Sequence, residues 1–461
     1  MLYLESDFSY EEISGGAEYV DKYFLNNIDN IGFIKCSDFS ANDYLKKNSY
    51  IISNFTRLSE QVRRKLIDNG NYVIVEHDYK FLKERNPIKY PNFEVPFEKR
   101  TNALFYNAAK AVFAQSDYHA DILRKNLPFS NIISFQATFY EEDHLELLKQ
   151  ISQHREIKTS KYAVLESKYG SKGRYETEKF CKDNGIEFEI IPRMKYEEFL
   201  KKLSEYEGLV FLPQSPETFC KLIYEARVLG LKIKTNKNSG VIHEKWIRDK
   251  KINLIEYIRN KQKSNLELVT STLSKECKKD KVLTEAVSLF KAKRYLSNLL
   301  NNLVEQSLFK HTEYVFVNCN SPDHEEESKI LQPYLDRYEN IKVVNLDKDP
   351  GIYGAWNIAI KNADTEFVCN TNTDDFRFVN STEEMVYTLQ KSSAALVYGD
   401  SRLMTEYGVV SHQRSEHSLN DFSRENMIKC LPGAIPVWRK STHSKYGYFS
   451  EDYSSASDWE F

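Results

Sequence analysis

The sequence predicts an α/β protein in which parallel β-sheets are flanked by helices. Short apolar runs of strand length alternate with polar segments of helical periodicity along most of the chain, which is the pattern of strands joined by crossover helices. The 461 residues exceed one ordinary hydrophobic core, so two or three domains are expected. The fractions of hydrophobic residues (41%) and aromatic residues (13%) argue for a globular protein and against disorder.

Charge and cysteine usage limit the classes of function. The 64 basic and 67 acidic residues leave no basic excess for sequence-independent nucleic-acid binding, although a local basic groove is compatible with these numbers. The seven cysteines lack CxxC spacing, which indicates reduced thiols and neither a zinc site nor a disulfide framework. No apolar run approaches the ~20 residues of a membrane span, and the N-terminus has no signal-peptide pattern. A cytoplasmic protein is therefore predicted.

Residues 1–150 are predicted to form the first unit. Strand-like runs occupy residues 2–4, 31–35, 49–52, 72–76 and 131–135, and 103–116 is predicted as a helix running into a strand. His77 directly follows the strand YVIVE at the carboxyl edge of the sheet, which makes it a candidate catalytic residue. The segment SGGAE (14–18) is predicted as a plain turn or as a loop before an anion-facing helix.

Residues 151–245 are predicted to form the second unit. After the strand KYAVLES, Lys168 and Lys172 accompany two glycines at a strand-to-helix turn, an arrangement that suits a pyrophosphate. After the strand GLVFLP, Glu217 and Glu225 stand eight positions apart, with Glu217 at or before the start of a helix. Both carboxylates can then address one ligand, and acids suit hydroxyl groups better than phosphates.

The stretch PETFCKLIYEA (216–226) resembles the E-x7-E signature of family 4 glycosyltransferases, which have the GT-B fold. The resemblance covers roughly residues 1–245 and implies a GT-B-like pair of Rossmann-like halves. It implies that Glu217 contacts the donor sugar, Glu225 the nucleotide ribose, and Lys172 and Lys168 the diphosphate, without a metal. Cys220 stands where that family commonly has a glycine. A solvated helix face is the alternative interpretation of the spacing.

Residues 246–284 are rich in Lys, Asn, Glu and Ser and are predicted to be a helical connector that returns across the first module.

Residues 285–461 are predicted to form a third α/β unit, whose most informative stretch is EFVCNTNTDDF (366–376). This run ends at Asp374 and Asp375, so a strand would deliver two acids to the carboxyl edge of a sheet. Adjacent carboxylates repel each other unless a cation lies between them and a ligand. Oxygen ligands completed by substrate phosphates favour Mg²⁺ or Mn²⁺.

The third unit resembles a family 2 glycosyltransferase of the GT-A (nucleotide-diphospho-sugar transferase) fold, through its motifs VSLF, NCNSPD, GIYGAWNIAIKNA, NTDD and SDWE. The resemblance implies that Asp375 ligates a divalent metal (Mn²⁺ or Mg²⁺) on the donor diphosphate and that Asp374 contacts the ribose. It implies donor contacts for Ser288 and Asn357 and a catalytic base at Asp458. Glu460 is the rival base.

Together the two resemblances imply a bifunctional glycosyltransferase, which transfers sugars from nucleotide-diphosphate donors to a glycan or glycoconjugate in surface polysaccharide synthesis. One alternative is that one module is a degenerate sugar-nucleotide or glycan-binding scaffold, and another is a nucleic-acid acceptor. The chain ends at Phe461, one residue after SDWE, which predicts a fragment of a longer protein. The donor sugar, nucleobase, acceptor and oligomeric state are not predicted.

Overall fold

The computed structural model describes residues 1–8, 16–406, 408–414, 422–429, 432–453 and 455–461. The chain forms two compact units. Unit 1 comprises Met1–Asn102 and Ala109–Cys277, and unit 2 comprises Ala103–Ala108 and Lys278–Phe461. In the described part of the chain, no helix has both the length and the apolar character needed to cross a membrane. Ser14 and Gly15 of the predicted glycine turn lie outside the described residues.

The first half of unit 1 is a parallel sheet with helices between its strands. Its strands are β1 (Leu2–Ser6), β2 (Ile31–Lys35), β3 (Ser49–Ile52), β4 (Tyr72–Val75), β5 (Val112–Ala114) and β6 (Ile132–Ser134). The helices in this part of the chain are α1 (Gly16–Asn27), α2 (Glu60–Asn69), α3 (Ala103–Ala108, which belongs to unit 2), α4 (Asp117–Asn126) and α5 (Glu142–Gln153). The spatial order is β2-β1-β3-β4-β5-β6, which confirms the predicted strands and their parallel arrangement.

The second half of unit 1 is a smaller parallel sheet in the order β10-β9-β7-β8. Its strands are β7 (Thr159–Leu165), β8 (Phe188–Ile191), β9 (Tyr206–Phe211) and β10 (Lys232–Thr235). Its helices are α6 (Arg174–Asp183), α7 (Tyr196–Ser204), α8 (Lys221–Val228) and α9 (Leu254–Ser274). Helix α9 lies in the predicted connector and contributes Ile255 and Ile258 to the core of this half, but Val269 and Leu273 to the core of the first half.

Unit 2 is built on a six-stranded mixed sheet in the order β13-β12-β11-β14-β18-β15. Its strands are β11 (Leu283–Leu289), β12 (Thr312–Asn318), β13 (Ile341–Asn345), β14 (Phe367–Thr371), β15 (Leu396–Val397), the hairpin strands β16 (Arg402–Glu406) and β17 (Val409–Arg414), and β18 (Val437–Arg439). Its further helices are α10 (Lys293–Val304), α11 (His324–Leu335), α12 (Gly351–Lys361), α13 (Ser381–Lys391), α14 (Thr442–Tyr446) and α15 (Ser457–Glu460). Strands β11 to β14 are parallel, whereas β18 is antiparallel to β14 and β15.

The two faces of this sheet carry separate apolar cores. Val287 and Leu289 of β11 pack with the leucines of α10, whereas Ala286 packs with α12 on the opposite face. The division follows from the alternation of side chains along a strand. Strand β14 lies between β11 and β18, so the loop that follows it emerges near the middle of the sheet.

Candidate active sites

The two aspartates of unit 2 lie in the turn that follows β14. The strand ends at Thr371, which is earlier than the apolar run predicted, and Asp374 and Asp375 follow after a short connection. Asp374 is exposed and Asp375 is half-buried. Burial raises the pKa of Asp375, and so does the charge of Asp374, while Arg377 opposes the shift. Two carboxyl groups that oppose each other's ionisation therefore lie side by side at the carboxyl end of the sheet.

A buried ion pair that the sequence analysis missed holds this turn in place. The Arg377 side chain, in a residue that is 4% exposed, donates from Nη1 to Glu285 Oε2 at 2.5 Å. Thr371 Oγ1 donates to the other oxygen, Glu285 Oε1, at 2.7 Å. The Asn302 side chain binds the backbone of Arg377 twice. Its Nδ2 donates to Arg377 O at 2.9 Å, and its Oδ1 accepts from Arg377 N at 3.1 Å. A signal existed in the sequence, namely an acid in the otherwise largely apolar strand LTEAVSL.

The chemistry of the aspartate pair fits the predicted divalent cation. Among the residues that the structure describes, no three His, Cys, Asp or Glu side chains are grouped so as to hold a metal ion. Mg²⁺ or Mn²⁺ in a nucleotide site needs only one or two protein carboxylates, with water and phosphate oxygens completing the shell. Asp374 and Asp375 supply that number of hard oxygen ligands.

The two candidate bases lie at the C-terminal end of unit 2. Asp458 and Glu460 are exposed on α15, and Asp458 Oδ1 accepts a hydrogen bond of 2.8 Å from the Tyr353 hydroxyl. Both acids line a cavity of about 890 Å³. Asp375 lines an adjacent cavity of about 680 Å³, and the two cavities share Val397 and Tyr398.

Ser288 and Asn357, the two other predicted donor contacts of unit 2, differ in burial. Ser288 is half-buried near the carboxyl end of β11. Asn357 is 1% exposed on α12, and its amide bonds the backbone of Phe449 and the side chain of Glu451. The donor roles of both residues stay predictions.

In unit 1 the structure brings Lys172 and Glu217 into direct contact, a pairing that the sequence analysis did not predict. Lys172 Nζ lies 2.8 Å from Glu217 Oε1 and 3.0 Å from Oε2. Burial alone would lower the pKa of Lys172, but the charge and hydrogen bonds of Glu217 raise it, so the ammonium form persists. Lys168 is exposed in the same loop. Gly173 closes this loop at φ +67°, and a Cβ there would lie 1.9 Å from Leu212 O, so only glycine fits.

Glu217 and Glu225 differ in setting, although both belong to the segment around α8. Glu217 precedes the helix, in an extended stretch where its N–H donates to Asn238 O at 2.7 Å and its carbonyl accepts from Gly240 N at 3.0 Å. Glu225 is 4% exposed on the helix, and its Oε1 accepts from Tyr196 Oη at 2.7 Å and from Tyr140 Oη at 3.2 Å. Burial raises the pKa of Glu225.

The structure also shows the surroundings of Cys220 and Lys221 in this segment. Cys220, directly before α8, has φ +75°. It therefore keeps a left-handed backbone that glycine adopts more readily. Lys221 donates from Nζ to Phe139 O at 2.9 Å, and its ammonium lies 4.9 and 4.5 Å from the ring centroids of Tyr19 and Tyr140. Burial lowers the pKa of Lys221 to about 8.

His77 is held at the carboxyl end of β4, as predicted. Its Nε2 lies 2.8 Å from Ser53 Oγ, and its carbonyl accepts from Thr218 Oγ1 at 3.2 Å. Burial, assisted by the charge of Lys80, lowers the pKa of His77 to about 3. The imidazole is therefore neutral at neutral pH and is a weak base. Its catalytic role stays a prediction.

Comparison with known proteins bears on unit 2. Residues 286–442 match the model of glycosyl transferase family 2, a segment that includes both aspartates after β14 and ends before Asp458. The uncharacterized glycosyltransferase YwdF of Bacillus subtilis (strain 168) is 26% identical over 171 residues, which is 36% of this chain and 61% of YwdF. The chain thus spans less than two thirds of that relative's length.

Solved structures align with a similar share of the chain. S. aureus TarS 1-349 aligns over 39% of this chain and 53% of its own, with 20% identity and a TM-score of 0.34. The mannosyltransferase PcManGT from Pyrobaculum calidifontis, in complex with GDP-Man and Mn²⁺, aligns over 39% and 50%, with 17% identity and a TM-score of 0.31.

The family match and the relative confirm that the chain carries a glycosyltransferase domain of the family 2 type, located in unit 2. The resemblance of unit 1 to family 4 stays a prediction.

Proposed function

We propose that unit 2 transfers a sugar from a nucleoside-diphosphate sugar to a hydroxyl group of a glycan or glycoconjugate. The observation that carries the proposal is the aspartate pair after β14, which lies inside the segment that matches family 2. The ion pair between Arg377 and Glu285 holds the turn in place. Oxygen ligands at the carboxyl end of a central strand are where an α/β sheet presents a ligand.

The chemical step in this proposal is a direct displacement. Asp458 takes the proton from the acceptor hydroxyl as its oxygen forms a bond to the anomeric carbon, and the bond from that carbon to the diphosphate breaks. Asp375 would hold a divalent cation on the donor diphosphate and Asp374 would contact the ribose. The cation would supply positive charge to the departing diphosphate. Glu460, on the same short helix, is the alternative base.

The aspartate role is tested by calorimetric titration of UDP and GDP into the protein with Mn²⁺ or with EDTA. We expect Asp375→Asn to remove the Mn²⁺-dependent part of binding, because a neutral amide is a weaker ligand for a hard cation. Asp364→Asn, an exposed aspartate before β14, is the matched control and should titrate like the wild type. Equal Mn²⁺-dependent binding by Asp375→Asn and the wild type would contradict the proposal.

We also propose that unit 1 is a second, metal-independent glycosyltransferase with a GT-B-like pair of halves. The Lys172–Glu217 pair, in loops that follow strands of a parallel sheet, supports this proposal. In this role Glu217 contacts the donor sugar, Glu225 the ribose, and Lys172 with Lys168 the diphosphate, while His77 lies on the acceptor side. Basic side chains replace the metal in offsetting the charge of the leaving group.

A specific observation favours a second candidate function for unit 1. Two tyrosine hydroxyls already occupy Glu225, which suits a module that has lost transfer activity and serves as a sugar-nucleotide or glycan-binding scaffold. Measurement of donor hydrolysis in EDTA, with a panel of UDP- and GDP-sugars, separates the two: release of nucleotide favours transfer, and binding without release favours the scaffold. For the whole protein we propose a cytoplasmic role in surface polysaccharide synthesis, and a nucleic-acid acceptor is the alternative.

A further inference from the structure

Helix α12 presents one face to the C-terminal segment that carries Asp458. Tyr353 and Asn357 are one helical turn apart and project on the same side of the helix. Both are buried, at 5% and 1% exposure. The sequence analysis predicted that the motif GIYGAWN contacts the donor. In the structure the motif also contacts the C-terminal segment of its own unit.

The lower part of this face fixes the backbone of residues 449–451. Asn357 Nδ2 donates to Phe449 O at 2.8 Å and to Glu451 Oε1 at 3.0 Å, while its Oδ1 accepts from Phe449 N at 3.1 Å. At Gly354, between the two, a Cβ would lie 2.7 Å from Pro350 Cβ and 3.6 Å from Glu451 Cδ. The absence of a side chain at Gly354 thus leaves room for Pro350, whereas the distance to Glu451 is an ordinary van der Waals contact.

The upper part of the face reaches the candidate base itself. The Tyr353 hydroxyl donates to Asp458 Oδ1 at 2.8 Å. The tyrosine ring is fixed by edge-on packing against Trp356, with centroids 5.3 Å apart, and by Phe449 at 6.0 Å. Burial raises the pKa of Tyr353, as does its bond to Asp458, so the phenol stays protonated and keeps donating.

The geometry points to Tyr353 as the positioning residue of the base: its hydroxyl holds one oxygen of Asp458 so that the other is directed at the acceptor hydroxyl. This inference rests on the proposed role of Asp458. A carboxylate on an exposed four-residue helix is otherwise free to rotate about its side-chain bonds. One hydrogen bond from a rigid, buried ring removes that freedom without consuming the second oxygen.

A double-mutant cycle on the full-length protein tests the inference, with release of nucleoside diphosphate from a panel of UDP- and GDP-sugars in Mn²⁺ and water as the acceptor probe. Tyr353→Phe keeps the ring and removes the hydroxyl. We expect kcat to fall about 10- to 100-fold, as for a misplaced catalytic group, with the donor KM and the melting temperature nearly unchanged. Asp458→Asn should lower kcat by ~10²–10⁴. In the Asp458→Asn background, Tyr353→Phe should add less than about a further twofold, because residues that act as a unit are not additive.

The controls and the contrary outcomes are separable. Tyr448→Phe removes a hydroxyl from the same segment, on a ring that stacks on His443, and should turn over like the wild type. Collapse of Asp458→Asn with normal turnover of Tyr353→Phe would overturn the inference and leave the proposed function standing. An equal loss in both backgrounds, or a fall in kcat accompanied by a raised donor KM and lower melting temperature, would show a structural role and overturn it too. Full turnover by Asp458→Asn would overturn the inference and move the base to Glu460, with the proposed transfer left standing. No release by the wild type from any sugar nucleotide would overturn the proposed function and the inference together.

Discussion

At the scale of single residues, both acids of the Glu217–Glu225 pair are bound by other protein groups. Glu217 is neutralised by Lys172, and Glu225 accepts the hydroxyls of Tyr196 and Tyr140. Both tyrosine hydroxyls bind the same oxygen of Glu225, Oε1, so a ribose hydroxyl that uses this oxygen competes with them. If unit 1 binds a nucleotide sugar as proposed, we expect an exchange of hydrogen bonds at this oxygen.

Tyr196→Phe tests this exchange. Because the phenol of Tyr196 competes with a ribose hydroxyl for Glu225 Oε1, its removal should tighten nucleotide binding by about three- to tenfold, which corresponds to roughly 1 kcal/mol for one hydrogen bond. The dissociation constants of UDP and GDP, measured by calorimetry in EDTA, check the prediction. Tyr257→Phe, on α9 and stacked against Trp246, is the control. Unchanged or weaker binding by Tyr196→Phe would rule out competition at Glu225.

The sequence predicted which residues of this site carry charge but not which residues they meet. The spacing of Glu217 and Glu225, and the lysine loop upstream, are local patterns, and the expected position of Glu217 before the helix is confirmed. Tyr140 precedes Glu225 by 85 positions and Tyr196 precedes it by 29, so no local periodicity connects them. The left-handed backbone at Cys220 was not predicted either, because a cysteine, unlike a glycine, does not indicate a positive φ.

At the scale of elements, strand β11 and helix α10 jointly position the turn after β14. Removing Arg377 leaves Glu285, in the middle of β11, as a buried charge without its partner. We expect Arg377→Gln to lower the free energy of unfolding by about 3–5 kcal/mol, whereas Glu285→Leu combined with Arg377→Met should recover most of the loss. Urea unfolding followed by circular dichroism measures both. Lys293→Gln, which breaks an exposed ion pair with Asp323, should cost less than about 1 kcal/mol. A loss of similar size in Arg377→Gln would show that the ion pair does not stabilise the turn.

The first residue of helix α4 donates a hydrogen bond to the carboxyl group of Glu244, which belongs to the other half of unit 1. We expect the stability that this group contributes to depend on pH. Glu244 is 2% exposed and accepts the N–H of Asp117, the first residue of α4, at 2.8 Å. Burial raises the pKa of Glu244 from 4.5 to about 7, although the N–H of Asp117 opposes the shift. The folded state therefore holds a proton that the unfolded state releases. The resulting stabilisation is complete below about pH 4.5 and is lost as the pH rises through 7.

Glu244→Gln should remove this part of the pH dependence. An amide keeps the acceptor for Asp117 N but cannot ionise, so we expect the variant to be about 1–3 kcal/mol more stable than the wild type at pH 8 and nearly equal to it at pH 5. Denaturant unfolding at the two pH values gives the comparison. Glu267→Gln, at an exposed position of α9, should leave the difference between the two pH values unchanged. A Glu244→Gln variant that loses as much stability on going to pH 8 as the wild type does would contradict the assignment.

The sequence predicted the secondary-structure elements better than it predicted which elements pack together. The apolar runs became strands because a fully buried parallel strand needs apolar side chains on both faces, a requirement that is visible locally. The hairpin β16–β17 was not predicted, since its short exposed strands lack that pattern. The membership of α3 in unit 2 could not be predicted either, because it depends on packing between residues 200 positions apart.

At the scale of the whole molecule, each candidate site is built from residues of a single unit, which predicts two separable binding activities. Glu217→Gln should weaken metal-independent binding of a nucleotide sugar by roughly 1–3 kcal/mol and leave Mn²⁺-dependent binding intact. Asp375→Asn should do the reverse. Calorimetry of each variant, with Mn²⁺ and with EDTA, gives the crossed pattern. If either substitution reduced both kinds of binding, the two sites would not be independent.

Helix α3 has a consequence for how this gene can be divided and recombined. Its six residues lie within the stretch of chain that otherwise builds unit 1, yet Asn107 donates to Ser307 O at 2.9 Å and Leu104 packs on the α10 core of unit 2. A breakpoint after codon 277 would assign this hexapeptide to the wrong product. The C-terminal product would expose part of its apolar core and tend to aggregate, unless the peptide were supplied separately. The packing of α3 thus favours keeping both units in one reading frame. This holds whether or not the activities proposed for the two units are coupled.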